Sequence, residues 1–245
     1  MRFTWSRREW LGGRWFYGEI FVWGFLGVAG IYFLINHLIA NFGSYGWSPE
    51  LSIDRKIPAV AWMIIPYTSL YLLTPAAIIL HSRHDRGRME LLLALQGLVV
   101  LTAIHAIFFV LFPADIALRD QLPVDILAYE GFLGGIYEFI HVVDNPTNAW
   151  PSLHITLSYV ICRVMTIWLD RDYAETTWGK PLKWILWVNW VLICVSILTT
   201  KQHYIFDLAT GLVFAFGWWW LIEPGFSKLD AIPDDEIDAI FDNGQ

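Results

Sequence analysis

Leu91 to Leu111 reads LLLALQGLVVLTAIHAIFFVL, an unbroken run without a single Asp, Glu, Lys or Arg. Wound as a helix at 1.5 Å per residue, it reaches about 30 Å, the depth of a bilayer's hydrocarbon core. It is apolar on every side, so it has no polar face to turn to water. Only lipid, or other helices within lipid, can solvate such a segment, because a helix satisfies its own backbone hydrogen bonds.

Outward from this run, five more segments of similar character follow: roughly Glu19–Asn41, Ile57–Leu80, Ser152–Leu169, Leu182–Thr199 and Tyr204–Ile222. Composition agrees, since 56% of the 245 residues are hydrophobic and only 16% charged, well below the quarter usual for soluble domains. The expected fold class is therefore all-α: a polytopic membrane protein with six transmembrane helices. Trp15, Trp47, Trp150, Trp178 and Trp218 to Trp220 fall near span ends, where interfacial aromatics belong. Pro66 and Pro75 within the second span predict a kink. No internal repeat divides the chain. Residues 1–229 read as a single six-helix membrane catalytic domain and 230–245 as an acidic cytoplasmic tail, partly disordered.

The Lys and Arg residues orient the bundle. With the N-terminus cytoplasmic, eleven lie on inner segments (Arg2, Arg7, Arg8, Arg14, Arg83, Arg86, Arg88, Arg171, Lys180, Lys183, Lys228) and four on outer ones (Arg55, Lys56, Arg119, Lys201). Both termini are thus expected inside. Arg163, within the fourth span, is expected to reach the inner interface or a buried partner. The basic start is followed by a segment long enough to stay as a helix, so no cleavable signal peptide is expected. The long connection from Pro113 to Pro151 lies outside and carries Asp115, Asp120, Asp125, Glu130, Glu138 and Asp144; its middle, Ile126–Val143, reads as an amphipathic surface helix. The net charge of -7 comes largely from that loop and the tail, and no basic nucleic-acid-reading motif is present. Cys162 and Cys194 sit in apolar segments and suggest neither a disulfide nor a metal site.

Chemistry is concentrated in two stretches that the topology brings to one outer face. Asn148-Ala-Trp-Pro-Ser-Leu-His154 opens the fourth span, and Thr199-Thr-Lys-Gln-His-Tyr-Ile-Phe-Asp207 opens the sixth. His203 and Asp207 are four residues apart, so on a helix they share a face. A carboxylate there can hold the Nδ1 proton of the imidazole and leave Nε2 free as a nucleophile towards phosphorus. His154 supplies the general acid that a departing alkoxide needs, and the base for the incoming water or alcohol. Ser152, in the first helical turn after Pro151, together with Lys201 and Arg119, is expected to bind phosphate oxygens; Lys201 reads equally as a snorkelling topology residue. Ionisable groups inside a span are costly and so point to function. Singly placed histidines near helix ends (His37, His81, His84, His105, His141) read instead as satisfied interfacial residues. Two histidines and an aspartate could also hold zinc, but no further His, Cys or Glu joins them at ligand spacing, so no metal and no cofactor are expected.

Pro-Ser-Leu-His and His-Tyr-x-x-Asp resemble the second and third motifs of the type 2 phosphatidic acid phosphatase superfamily, and more narrowly its inositol phosphorylceramide synthase and sphingomyelin synthase branch. Asp54-Arg-Lys-Ile-Pro58, with Trp62, Pro66 and Tyr67 following, resembles the entry to the second span in the inositol phosphorylceramide branch. The resemblance covers roughly Asp54 to Gly211. It implies six helices, no metal, a phosphohistidine intermediate on His203, His154 as acid/base and Asp207 as orienting carboxylate.

Two departures bear on the reaction. The phosphatase branch carries an arginine six residues before the nucleophile, where this chain has Ile197, and its first motif has no match nearer than Phe112-Pro113 with Arg119. This favours a phosphotransferase moving a headgroup from a phospholipid to a lipid alcohol such as ceramide or diacylglycerol. Hydrolysis of phosphatidate or an isoprenyl phosphate by water is the alternative, and a non-catalytic lipid carrier the reading from another class. A proton-coupled transporter is disfavoured by the lack of an inverted repeat. The expected location is a bacterial inner membrane, with the site facing the periplasm or exterior.

Overall fold

A computed structural model describes residues 16–42, 47–81, 84–144, 146 and 148–242. Trp15 and the arginines at positions 2, 7, 8, 14 and 83 lie outside the described residues. Six helices are long and apolar enough to cross a membrane: span one Phe16–Ile39, span two Ala61–Leu80, span three Asp85–Leu111, span four Leu153–Asp172, span five Gly179–Thr199 and span six Ile205–Asp230. Among the described residues there is no strand, only isolated bridges that join Ala114 to Trp47 and to Asn148.

Spans three and six run further than hydropathy alone indicates, to Asp85 and Asp230 rather than Leu91 and Ile222. Their extra turns are polar, and helical hydrogen bonding continues where lipid no longer decides. At the start of span three His84 accepts a hydrogen bond from the Gly87 N–H at 3.1 Å, which caps one of the helix's free donors. Span two is interrupted at Ser69, which parts helix Ile64–Thr68 from helix Leu70–Leu80; Pro75 lies within the second piece.

Span four is the axis of the bundle. It packs against spans two, three, five and six, and its side chains are buried on nearly every side. Span one lies against span three. At the face away from the histidines, Arg171 donates to Glu90 at 2.6 and 3.0 Å, and Trp168 Nε1 donates to the same carboxylate at 2.8 Å. Arg163 places its guanidinium 4.8 Å from the centre of the Trp219 ring, a buried aromatic partner. Asp234–Asp242 is a helix, held to span three by Arg86, which donates to the Leu229 and Ile232 carbonyls and to Asp234.

On the histidine face, the surface helix expected over Ile126–Val143 forms as two pieces, Val124–Leu127 and Gly131–Val143. Between them Tyr129 and Gly131 have φ of 56° and 68°, left-handed values that end one helix and start the next. In the longer piece Tyr137 and Ile140 are buried while Phe132, Phe139 and Val142 are exposed. This is the two-sided pattern of a helix lying in an interface.

Candidate active site

The loop between spans five and six fixes the geometry. At the end of span five the Lys201 and Gln202 N–H groups bond the Leu198 and Ile197 carbonyls at 3.3 and 3.2 Å, closing the helix in a Schellman turn. That turn needs a left-handed residue, usually glycine. Here it is Lys201, at φ 61°, at a cost of about 1–2 kcal/mol. Its buried ammonium offsets the cost by donating to the Ile57 carbonyl at 2.5 Å and the Asp54 carbonyl at 3.3 Å. The ammonium of Lys201, an expected phosphate ligand, is thus found on the 54–57 turn. The Asp54 carboxylate in return accepts the N–H of Ile205 at 2.8 Å and of Leu51 at 2.6 Å, capping span six. These bonds clamp His203, whose own N–H bonds the Ile197 carbonyl at 3.0 Å.

Asp207 sits in the first turn of span six. Its Oδ2 accepts the Tyr204 N–H at 2.9 Å and lies 3.4 Å from Nδ1 of His203, an ion-pair distance longer than a well-formed hydrogen bond. Span four brings His154 alongside, with its ring centre 5.6 Å from that of His203 at an interplanar angle of 70°. Both imidazoles are more than nine-tenths buried. The close approach depends on Gly211, one turn beyond Asp207. A Cβ there would come within 3.1 Å of the Ser152 carbonyl and 3.3 Å of the Ile155 Cβ. Ser152 is fully buried, its N–H donates to the Asp207 carbonyl at 3.4 Å, and its Oγ has no partner among the described residues. His154, His203, Asp207 and Ser152 are thus brought together.

A second carboxylate, not singled out in the sequence, reaches the same place. Asp144 ends the surface helix, is 7% exposed, and lies with Oδ2 3.5 Å from His154 Nε2. It accepts hydrogen bonds from the hydroxyls of Tyr32 and Tyr67, and the Tyr67 ring lies over His154 with centres 4.4 Å apart. Burial alone would raise the Asp144 pKa, but the imidazole of His154, the two hydroxyls and the imidazole of His203 outweigh it and hold the group below the ordinary carboxylate value. The available signal was in span one. Tyr32 and Asn36 are polar at i, i+4 in an apolar helix, and Asn36 donates to the Val143 carbonyl at 3.1 Å.

Arg119 approaches from the long loop. It donates to the Asp144 carbonyl at 2.8 Å and to Gln202 Oε1 at 2.7 Å, while its Nε is buried and has no partner among the described residues. Gln202 directly precedes His203, so the guanidinium is linked to both sides of the histidine pair. The Gln202 amide nitrogen lies 3.2 Å from His141 Nε2, and Tyr129 Oη lies 2.9 Å from His141 Nδ1. Burial first, and the Arg119 charge next, bring the His141 pKa down to about 4. A neutral ring fits this pattern: Nε2 accepts from the amide and Nδ1–H donates to the phenol. His141 therefore belongs to the polar shell around the site.

A cavity of about 510 Å³ opens beside His154 and runs between spans one, two, three and four. Tyr32 lines its histidine end and Trp168 its far end, with Leu95, Leu98, Leu157 and Ile161 among the apolar residues between. From His154 to Trp168 is fourteen helical steps, about 21 Å. Among the described residues no three His, Cys, Asp or Glu side chains gather in a metal-binding cluster.

Fold and site together define an integral membrane protein of helices alone, with a buried imidazole–carboxylate centre at one face. The sequence pattern of the PAP2 superfamily matches residues 45–221, and the chain belongs to that superfamily. The match takes in the Asp54 turn, Asp144 and both histidine stretches. Members are phosphatases and phosphotransferases acting on lipid phosphates in membranes, so membership supports an enzyme of that kind. No curated protein and no solved structure matches the chain.

Proposed function

We propose that this chain is a lipid phosphotransferase that moves a phosphoryl headgroup between lipids through a phosphohistidine on His203. The observation that carries the reading is the meeting of His203, His154 and Asp207, from segments some fifty residues apart, with Asp207 against Nδ1 and the second imidazole 5.6 Å away. Nε2 of His203 attacks phosphorus and the P–O bond to the leaving lipid breaks. The alkoxide takes its proton from His154. An incoming alcohol then returns a proton to His154 as its oxygen displaces the histidine. Asp207 orients His203 and balances the positive charge that the ring acquires.

Phosphate binding falls to Arg119, with its unpartnered Nε, and to the free hydroxyl of Ser152. Lys201 holds the loop. The apolar cavity beside His154 suits a lipid chain, and burial of both imidazoles disfavours water as acceptor relative to a lipid alcohol such as ceramide or diacylglycerol. The resemblance to the inositol phosphorylceramide and sphingomyelin synthase branch points the same way. Hydrolysis of phosphatidate or an isoprenyl phosphate is the second reading, favoured by superfamily membership, which embraces both reactions. The distribution of Lys and Arg favours a site on the exterior or periplasmic side, in keeping with the expected bacterial inner membrane. Incubating the purified protein with a phospholipid panel, with and without ceramide or diacylglycerol, separates these readings by mass spectrometry. A new phospholipid that appears only with the alcohol supports transfer, and release of phosphate regardless of alcohol overturns it.

A further inference from the structure

Resting on that reading, the Asp144 contacts carry a step more. His154 alternates between neutral and protonated forms during each half-reaction, and a buried imidazolium is costly unless something balances it. The groups facing Asp144 from the elements around it are Tyr32, Tyr67 and Tyr71 on spans one and two, Arg119 from the loop, His154 on span four and His203 beyond it. Arg119 bonds the backbone carbonyl of Asp144, and the tyrosines offer neutral hydroxyls. The ring 3.5 Å from the carboxylate is His154.

We propose that Asp144 is the positioning residue of His154, making a second His–carboxylate pair that opposes the first. Tyr32 and Tyr67 occupy one carboxylate oxygen each and fix the plane of the group. Oδ2 faces Nε2 of His154 and stabilises its N–H. The other ring nitrogen, Nδ1, then exchanges the proton. In the first half-reaction Nδ1–H gives its proton to the leaving alkoxide as the P–O bond breaks and the P–N bond to His203 forms. In the second, Nδ1 takes the proton of the incoming water or alcohol as its oxygen bonds phosphorus and the P–N electron pair returns to His203. Asp144 stays ionised throughout. Anchoring the loop alone would need only a neutral acceptor, as an asparagine supplies.

Leaving-group dependence tests this. Diacylglycerol leaves phosphatidic acid as an alkoxide that must be protonated, whereas 4-nitrophenol leaves its phosphate ester as a stable phenolate that need not be. Asp144→Asn is expected to lower diacylglycerol release from phosphatidic acid by about ten- to a hundredfold, within the range of general acid catalysis. The first burst of nitrophenolate should change less than about threefold, and phosphoenzyme should accumulate, because its breakdown still needs His154 as a base. Asp144→Glu should restore part of the lipid activity. Equal losses on both substrates, without accumulation, would overturn the role of Asp144 while leaving the His203 mechanism standing. A wild-type protein that forms no phosphoenzyme from either substrate, nor from any phospholipid of the panel, would sink the mechanism and this role together. Should Asp144→Asn fail to fold, Tyr67→Phe, which keeps the charge but frees the carboxylate, is expected to show the same split at smaller size, and an unsplit loss there counts against the proposal.

Discussion

At the scale of single residues, the site depends on where charge is held and where it is left free. Lys201 and Arg119 are both loop cations, but one is bonded to two carbonyls and the other keeps an open Nε among the described residues. For Lys201→Gly, relief of the left-handed backbone returns about 1–2 kcal/mol. Loss of two hydrogen bonds from a charged donor removes roughly 1.5–3 kcal/mol each. The loss wins, so this variant should melt earlier in detergent while the KM of whatever activity remains stays near wild type; a large rise in KM with unchanged melting would return Lys201 to the phosphate. His141 gives a pH signature. Its folded pKa, about 4, lies below the unfolded value of about 6.5, so the unfolded chain binds the extra proton. Its contribution to stability is therefore complete above about pH 6.5 and fades as pH falls towards 4. His141→Gln should flatten the thermal stability profile across that window, and an unchanged slope would refute the assignment. His203 and Asp207 stand out in the sequence because they are four residues apart, and His154 because it sits in a short polar stretch at a span start; each pattern is local. Asp144 was one of six loop carboxylates, and only the folded path of the loop distinguishes it.

At the scale of elements, the expected spans were legible because lipid imposes a simple rule on length and polarity. The polar extensions of spans three and six were not, since outside the hydrocarbon the end of a helix is set by caps and tertiary bonds rather than hydropathy. The tail helix shows the same limit: Arg86, distant in sequence, supplies its anchor. The crossing of spans four and six was also hidden, because it depends on Gly211, whose absent side chain carries no chemical signal. Gly211→Val must push span six from Ser152 and Ile155 by at least several tenths of an ångström. Misplacement on the ångström scale can cost about a hundredfold in rate. The variant should lose at least tenfold in kcat while remaining a folded membrane protein, as followed by size-exclusion in detergent, and wild-type turnover would show that the crossing is not critical.

For the whole molecule, the histidines lie at one face beneath a layer built from the long loop, and the apolar cavity runs from them towards the other face. Resemblance and composition gave the membrane class; that layer, knitted by Asp54, Tyr204 and Arg119, emerges only when distant segments meet. The eleven-to-four distribution of Lys and Arg predicts an orientation with the tail inside and the long loop outside. Val124, 83% exposed on the loop, should as Val124→Cys react with a membrane-impermeant thiol reagent on intact cells. Asp235→Cys on the tail helix should react only after permeabilisation, and the reverse pattern would invert the topology.

The central claim is covalent. The protein incubated briefly with phosphatidic acid carrying a radiolabelled phosphate, then quenched in alkali, should carry an acid-labile phosphoryl group that peptide mass spectrometry locates on His203 and that His203→Ala abolishes. Label on any other residue, or turnover that survives His203→Ala, would contradict the account.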